Sequence, residues 1–255
     1  MAALAVELVC IGNELLSGRT VNTNARWLCA RVYGMGGTVK RVTVVADDAT
    51  EIEGAFREAA SRRADWVIAT GGLGPTYDDL TLSGLARALG VGLKEDGRAL
   101  EMVSRRTARL DPARRKMAAI PEGTEPLFNP AGTAPGVAAK MGVTKLACLP
   151  GVPAEMMAIF DAEVAPRMSG GPVRSKTLDV EVLGVPEADM APLLAELAAA
   201  NPEIYVKSHP QGPGRVVVQF SGRGEEGVKA ADGASGAFLA RMREVDAKCS
   251  VRELR

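Results

Sequence analysis

The segment Gly71–Thr81, GGLGPTYDDLT, gathers three glycines, a proline and two adjacent aspartates into one short loop. Gly71, Gly72 and Gly74 remove the side chains that would hold a bulky or phosphorylated ligand off the backbone, and Pro75 limits how far the loop can move. Asp78, Asp79 and Thr81 crowd the start of the following helix, where one of the three is expected to be the N-cap. That accounts for one polar residue and leaves a carboxylate over. Adjacent carboxylates repel a phosphate on the same helix end unless a divalent cation lies between them, and Mg²⁺ is typically held by one or two carboxylates plus phosphate oxygens. These residue types therefore point to a Mg²⁺-assisted phosphate or pyrophosphate site.

Two further loops carry unusual composition. Gly12–Asn24 offers Glu14, Ser17, Asn22 and Asn24 as hydrogen-bonding groups for a heteroaromatic or sugar ligand, one or two of them being helix caps. Pro150 and Gly151 open the turn PGVP and, with Thr81, are expected to complete the ligand-binding set. A second acidic pair, Asp47-Asp48, ends the run TVKRVTVV; it is either a metal contact or general base, or a turn ahead of a helix capped by Thr50. The basic stretch from Gly97 to Ala119, with Arg98, Arg105, Arg106, Arg109, Arg114, Arg115 and Lys116, either folds a cation over phosphate or is a set of solvated helix faces. His209, the single histidine, reads as a surface loop residue. No G-x-S-x-G or G-x-x-x-x-G-K-S/T occurs, which removes the main support for serine hydrolase and P-loop readings.

The elements that must position these loops follow from hydrophobic period. Strands are expected at Val6 to Ile11, Thr38 to Val45, Trp66 to Thr70 and Lys145 to Leu149. Helices are expected at Asn24 to Tyr33, Thr50 to Arg62, Thr81 to Leu89 and Ala154 to about Arg167. The helix after Thr50 has capping-box spacing with Glu53 and an apolar stripe of Ile52, Ala55, Phe56, Ala59 and Ala60. Strands alternating with helices imply a mainly parallel sheet in a three-layer α/β/α domain, here 1–170. Ligands bind such sheets at the carboxyl ends of the strands, so the three loops are expected to share one rim. SGGPVRS, 169–175, reads as a linker. Beyond it, 171–255 suits a small α+β module of order β-α-β-β-α, with a helix starting near Asp189 because Pro192 is tolerated only in a first turn. Trp27 and Trp66 are expected in the core.

The whole chain sets limits on partners. It has 255 residues, 47% of them hydrophobic, with 31 basic and 31 acidic side chains and no formal net charge. That composition excludes disorder and gives no general pull on polyanions, so nucleic acid is an unlikely partner. Cys10, Cys29, Cys148 and Cys249 form no C-x-x-C pair, and three sit in apolar runs as reduced cysteines do. The expectation is a cytoplasmic protein with neither a signal peptide nor a membrane span.

Four motifs in register, GNELLSGRTVNTNARWL, TGGLGPTYDDLT, NPAGTAPG and LPGVPAEM, resemble the N-terminal domain of the competence/damage-inducible CinA proteins, within the MoaB/MogA-like molybdopterin-binding superfamily. The match covers nearly all of 4–168. The tail from about 175 resembles the KH-like domain of CinA proteins more weakly, and the CinA amidase domain has no counterpart here. The resemblance implies an α/β/α fold with its pocket at the three loops, an essential aspartate matching Asp79, and an acid at Asp47. It also implies a homo-oligomer. Leu73, Pro75 and the inserted Tyr77-Asp78 depart from the adenylyltransferase branch and follow the CinA pattern. The implied activity is metal-dependent hydrolysis, with Mg²⁺, Mn²⁺ or Co²⁺, of the pyrophosphate in ADP-ribose or a related nucleotide. In that reading Asp79 holds the metal, Asp47 or Asp78 assists, and the amides of Gly71, Gly72 and Gly74 bind phosphate. The alternatives are binding or adenylylation of a pterin nucleotide in molybdenum cofactor synthesis, and a non-catalytic module. Gln211-Gly212-Pro213-Gly214 in the tail is a poor G-x-x-G clamp for RNA, lacking a basic residue between its glycines.

Overall fold

The computed structural model describes residues 4–107, 109–168 and 175–244, together with the backbone of 248–254. The chain forms two compact units, Met1–Gly170 and Gly171–Arg255. The linker expected at 169–175 lies outside the described residues, apart from Ser175.

In the first unit the order is β1 (Ala5–Ile11), α1 (Asn13–Leu16), α2 (Thr23–Gly34), β2 (Thr38–Val45), α3 (Ala49–Ser61), β3 (Trp66–Thr70) and α4 (Thr81–Leu89). There follow β4 (Leu93–Glu95), α5 (Gly97–Ser104), α6 (Pro112–Lys116), β5 (Ala119–Pro121), β6 (Glu125–Leu127), β7 (Gly136–Met141), β8 (Thr144–Leu149) and α7 (Pro153–Ile159). A π turn and a 3₁₀ turn carry α7 on to Arg167. The central sheet runs β2-β1-β3-β8-β7-β6. Its first three pairings are parallel, and the β8-β7 and β7-β6 pairings are antiparallel.

The central strands β1, β3 and β8 are largely apolar on both faces because helices cover both. Along β1, Val9 and Ile11 enter one core with Ile52, Phe56, Leu85 and Val103, while Leu8 and Cys10 enter the other with Leu28, Val32, Met156 and Phe160. Burying each of the larger apolar side chains contributes about 1.5–3 kcal/mol. Trp66 is buried, and Trp27 meets Phe160 edge-on at 5.5 Å. Register decides where the loops go: Ile11 pairs with Val45, Cys10 with Thr70, and Thr70 with Leu149. The carboxyl ends of all four parallel strands therefore end at one rim.

One cap expected in this unit is corrected. α3 is capped by Asp48, whose carboxylate accepts from the N–H groups of Thr50 (2.8 Å) and Glu51 (3.0 Å), and not by Thr50. An aspartate two residues earlier caps the first free amides and starts the helix at Ala49. Short strands β4, β5 and β6 escape a period-based reading, since three residues are too few to show alternation.

The second unit contains β9 (Ser175–Leu183), α8 (Glu187–Ala200), β10 (Ile204–Gly212), β11 (Arg215–Arg223), α9 (Gly224–Glu244) and β12 (Lys248–Leu254). They form an antiparallel sheet of order β10-β11-β9-β12. Its core joins Val180, Val182, Val218 and Phe220 to Met190, Leu194 and Phe238 of the helices. The closing strand β12 extends the expected order. α8 begins at Glu187, so Pro192 stands in the helix interior and the Ala188 carbonyl forgoes its usual amide partner. His209 lies in β10, paired with Val217, and not in a loop. The Gly212–Gly214 segment is the β10–β11 turn, with positive φ at both glycines. No helix among the described residues is long and apolar enough to cross a membrane.

Candidate functional site

At the rim where β1, β2, β3 and β8 end, a cleft of about 690 Å³ opens between the loops. Asp47, Asp78, Asp79, Gly71, Gly72, Gly74, Pro150 and Gly151 all line it, as the shared rim requires. Ser17, Asn22, Asn24 and Thr81 do not. Ser17 bonds back to the Glu14 carbonyl at 3.3 Å, and Asn22 caps α2 by accepting from Ala25 N–H at 2.9 Å. Asn24 is buried and donates to the Gly151 carbonyl at 2.8 Å, fastening the first loop to the PGVP turn.

Within the middle loop, Gly71 has φ 102° and Gly72 φ 65°. A Cβ at Gly71 would collide with the Ile11 carbonyl oxygen, and one at Gly72 with the Thr81 hydroxyl. The fully buried Thr81 folds the loop onto α4 by donating its hydroxyl to the Gly71 carbonyl (2.7 Å) and its N–H to the Gly72 carbonyl (3.2 Å). Gly71 N–H is spent on the Leu149 carbonyl at 3.0 Å. It is therefore not a phosphate donor, which corrects one of the three expected amides. Among the described residues no acceptor is found for Gly72 or Gly74 N–H.

The helix that follows has Leu80 at its N-cap and no side-chain cap, so neither aspartate nor Thr81 fills that role. Asp79 turns back instead, accepting from Thr76 N–H (2.7 Å) and the Thr76 hydroxyl (2.5 Å). Gly74 leaves room for this, since a Cβ there would lie 2.7 Å from Asp79 Oδ2. Asp79 remains half-buried and open to the cleft. Asp78 Oδ1 lies 2.6 Å from the same Thr76 hydroxyl, whose one proton the two carboxylates share, and that contact, helped by the charge of Lys116, holds the Asp78 carboxyl below the usual range. The pair Asp47-Asp48 divides its labour. Asp48 caps α3, and the amides it receives lower its pKa. Asp47 faces the cleft and accepts from Asn13 N–H at 2.7 Å.

Parts of the site are not evident from the sequence loops alone. Glu155, on the first turn of α7, lines the cleft together with Gly132 and Thr133 of the NPAGTAPG segment. Asn129 beneath them is 3% exposed and donates to Glu155 Oε2 at 2.6 Å. The signal available was an Asn, Pro and Gly cluster of the kind that builds tight loops. From the basic stretch, Arg114 lines the cleft while pairing with Asp111, and the Lys116 ammonium donates to the Thr76 carbonyl. Arg105 and Arg115 pair with Glu101 and Glu95 on the surface.

Chemically, the cleft offers hard oxygen donors, bare amides and two nearby cations. Among the described residues no three His, Cys, Asp or Glu side chains converge as a ready-made metal cage. Asp79 and Asp47 still fit the mode in which one or two carboxylates share a cation with phosphate oxygens.

A family model described as "Probable molybdopterin binding domain" matches residues 7–170. A protein of Pyrobaculum arsenaticum is 48% identical over 211 residues, covering 80% of this chain and 79% of its own length. One from Pyrococcus horikoshii is 38% identical over 228 residues, covering 85% and 88% respectively. Among solved structures, a protein CinA of unknown function from Thermoplasma acidophilum is 43% identical, with a TM-score of 0.62 over 65% of this chain and 99% of that one.

Proposed function

The chain belongs to the family of probable molybdopterin binding domains, its first unit being a CinA-like N-terminal domain, and from that premise we propose that it hydrolyses the pyrophosphate bond of ADP-ribose or a related nucleotide with the help of a divalent cation. One observation carries the reading: Asp47 and Asp79 meet the Gly72 and Gly74 backbone in a single cleft, with Asp79 reachable from solvent.

In this account the N–H groups of Gly72 and Gly74 hold phosphate oxygens, and Gly71 keeps the loop on β8. Asp79, with Asp47, would hold Mg²⁺, Mn²⁺ or Co²⁺, which supplies charge neutralisation and Lewis acidity at the phosphate. Thr76 fixes one oxygen of Asp79 and leaves the other available. Asp47, steadied by Asn13, orients the attacking water, and Arg114 or Lys116 offsets the charge gathering on the leaving phosphate. A panel of nucleotide sugars and dinucleotides, incubated with each of the three cations and scored by release of the nucleoside monophosphate, tests this; silence across the panel rejects it.

A second reading is binding or adenylylation of a pterin nucleotide, and the family match favours it. Tight molybdopterin binding by calorimetry, with adenylylation from ATP, is its signature. We further propose a homo-oligomer, in which the exposed Leu16 and Val21 of the first loop find cover.

A further inference from the structure

Asn129 uses all of its hydrogen-bonding capacity inside the protein. Its Oδ1 accepts from Ala131 N–H (3.0 Å) and Gly132 N–H (2.8 Å), and its Nδ2 donates to the Ala134 carbonyl (2.8 Å) and Glu155 Oε2 (2.6 Å). An amide with two acceptor sites and two donors is thereby saturated and fixed in rotation. Gly132 completes the arrangement, since any Cβ there would overlap the Glu155 carboxylate. The loop lies directly on that carboxylate, yet Glu155 still lines the cleft.

Glu155 is set apart from the other acids of the cleft by how it is held, between a saturated asparagine and a glycine backbone, and not by spare capacity, since Glu14 and the three aspartates also keep free oxygens. Asp79 and Asp78 each engage one oxygen with Thr76, and Asp47 one with Asn13, all within their own or the adjoining loop. Glu155 Oε1 has no hydrogen-bond donor among the described residues. A carboxylate accepts and does not donate, so the group it faces in a ligand must supply hydroxyl or N–H protons. Position narrows the choice. Gly151, four residues before Glu155, packs against the phosphate loop, where a Cβ would lie 3.4 Å from Gly71 Cα. In a nucleotide the donors adjoining the phosphates are the ribose hydroxyls, and a carboxylate on a ribose diol is a recurrent mode of recognition.

We propose that Glu155 binds the ribose hydroxyls of a nucleotide whose phosphates rest on Gly72 and Gly74, with Asn129 as its positioning residue. The inference rests on the nucleotide reading above and adds a sugar subsite to it. Because Asn129 Nδ2 requires an oxygen, the amide of Glu155→Gln gives its oxygen to Asn129 and turns its N–H₂ to the cleft, exchanging acceptor for donor at nearly constant size.

The test is calorimetric binding of ADP and 2′,3′-dideoxy-ADP to the full chain in Mg²⁺. Wild type is expected to prefer ADP by about ten- to a hundredfold, the range for hydrogen bonds to a charged group. E155Q loses that preference by weakening ADP alone, and Asn129→Ala reduces it. Equal binding of the two ligands by wild type overturns the subsite while leaving nucleotide binding intact, and it decides the matter even where a variant fails to fold. An undiminished preference in folded E155Q also overturns it. Failure of wild type to bind ADP removes the nucleotide reading along with the inference.

Discussion

A methyl group at position 71 would collide with the Ile11 carbonyl on a backbone whose φ is 102°, so this glycine answers to geometry before it answers to any ligand. Gly71→Ala combines backbone strain with overpacking and is expected to cost about 2–4 kcal/mol, read as a lowered urea midpoint. A midpoint within error of wild type contradicts that account. Thr81 is similar: it reads as an N-cap candidate by type and position, yet it is sealed beneath the loop it holds. Single residues in a Gly-rich loop thus divide into those that shape it and those that face outward. The sequence alone does not separate them, because both demand the same residue types. Asp47 and Asp48 show the same ambiguity resolved by register. One carboxylate reaches across to Asn13 while its neighbour bends to the amides of α3.

Elements were legible wherever hydrophobic period ran long enough. β2, β3 and α4 fall on the expected residues, and the α3 stripe of Ile52, Ala55, Phe56 and Ala59 is buried as its spacing requires. Caps were less legible, since Asp48 and Thr50 are both good N-caps and local sequence does not choose between them. Asp48→Ala is expected to lower the melting temperature by a few degrees at neutral pH. The folded pKa of Asp48 is depressed, so its contribution is complete above the ordinary carboxylate value near 4 and fades as pH falls through the lower folded value. The gap between variant and wild type in thermal scans should therefore narrow on acidification; a constant gap from pH 7 to pH 2 argues against the cap. Pro192 was misread for a physical reason. The helix accepts the loss of one amide bond where Met190 and Leu194 pack into the core beside it.

Across the whole molecule, parallel register is what turns scattered motifs into a site. Loops separated by more than a hundred residues meet because the four parallel strands end together, and this much could be reasoned from strand order before any coordinates. Glu155 and Asn129 could not, as their contact joins a loop before β7 to a helix after β8. If the exposed Leu16 and Val21 mark an interface, light scattering after size exclusion should give a mass of twice or three times 26.7 kDa; a monomer at micromolar concentration opposes it. The central claim is that Asp79 and its loop perform pyrophosphate chemistry, and the most direct measurement compares AMP release from ADP-ribose with Mg²⁺ by wild type and Asp79→Asn. The account predicts release by wild type, a loss of about a thousandfold or more in the variant, and matching circular dichroism spectra for the two. Equal turnover by both proteins would contradict it.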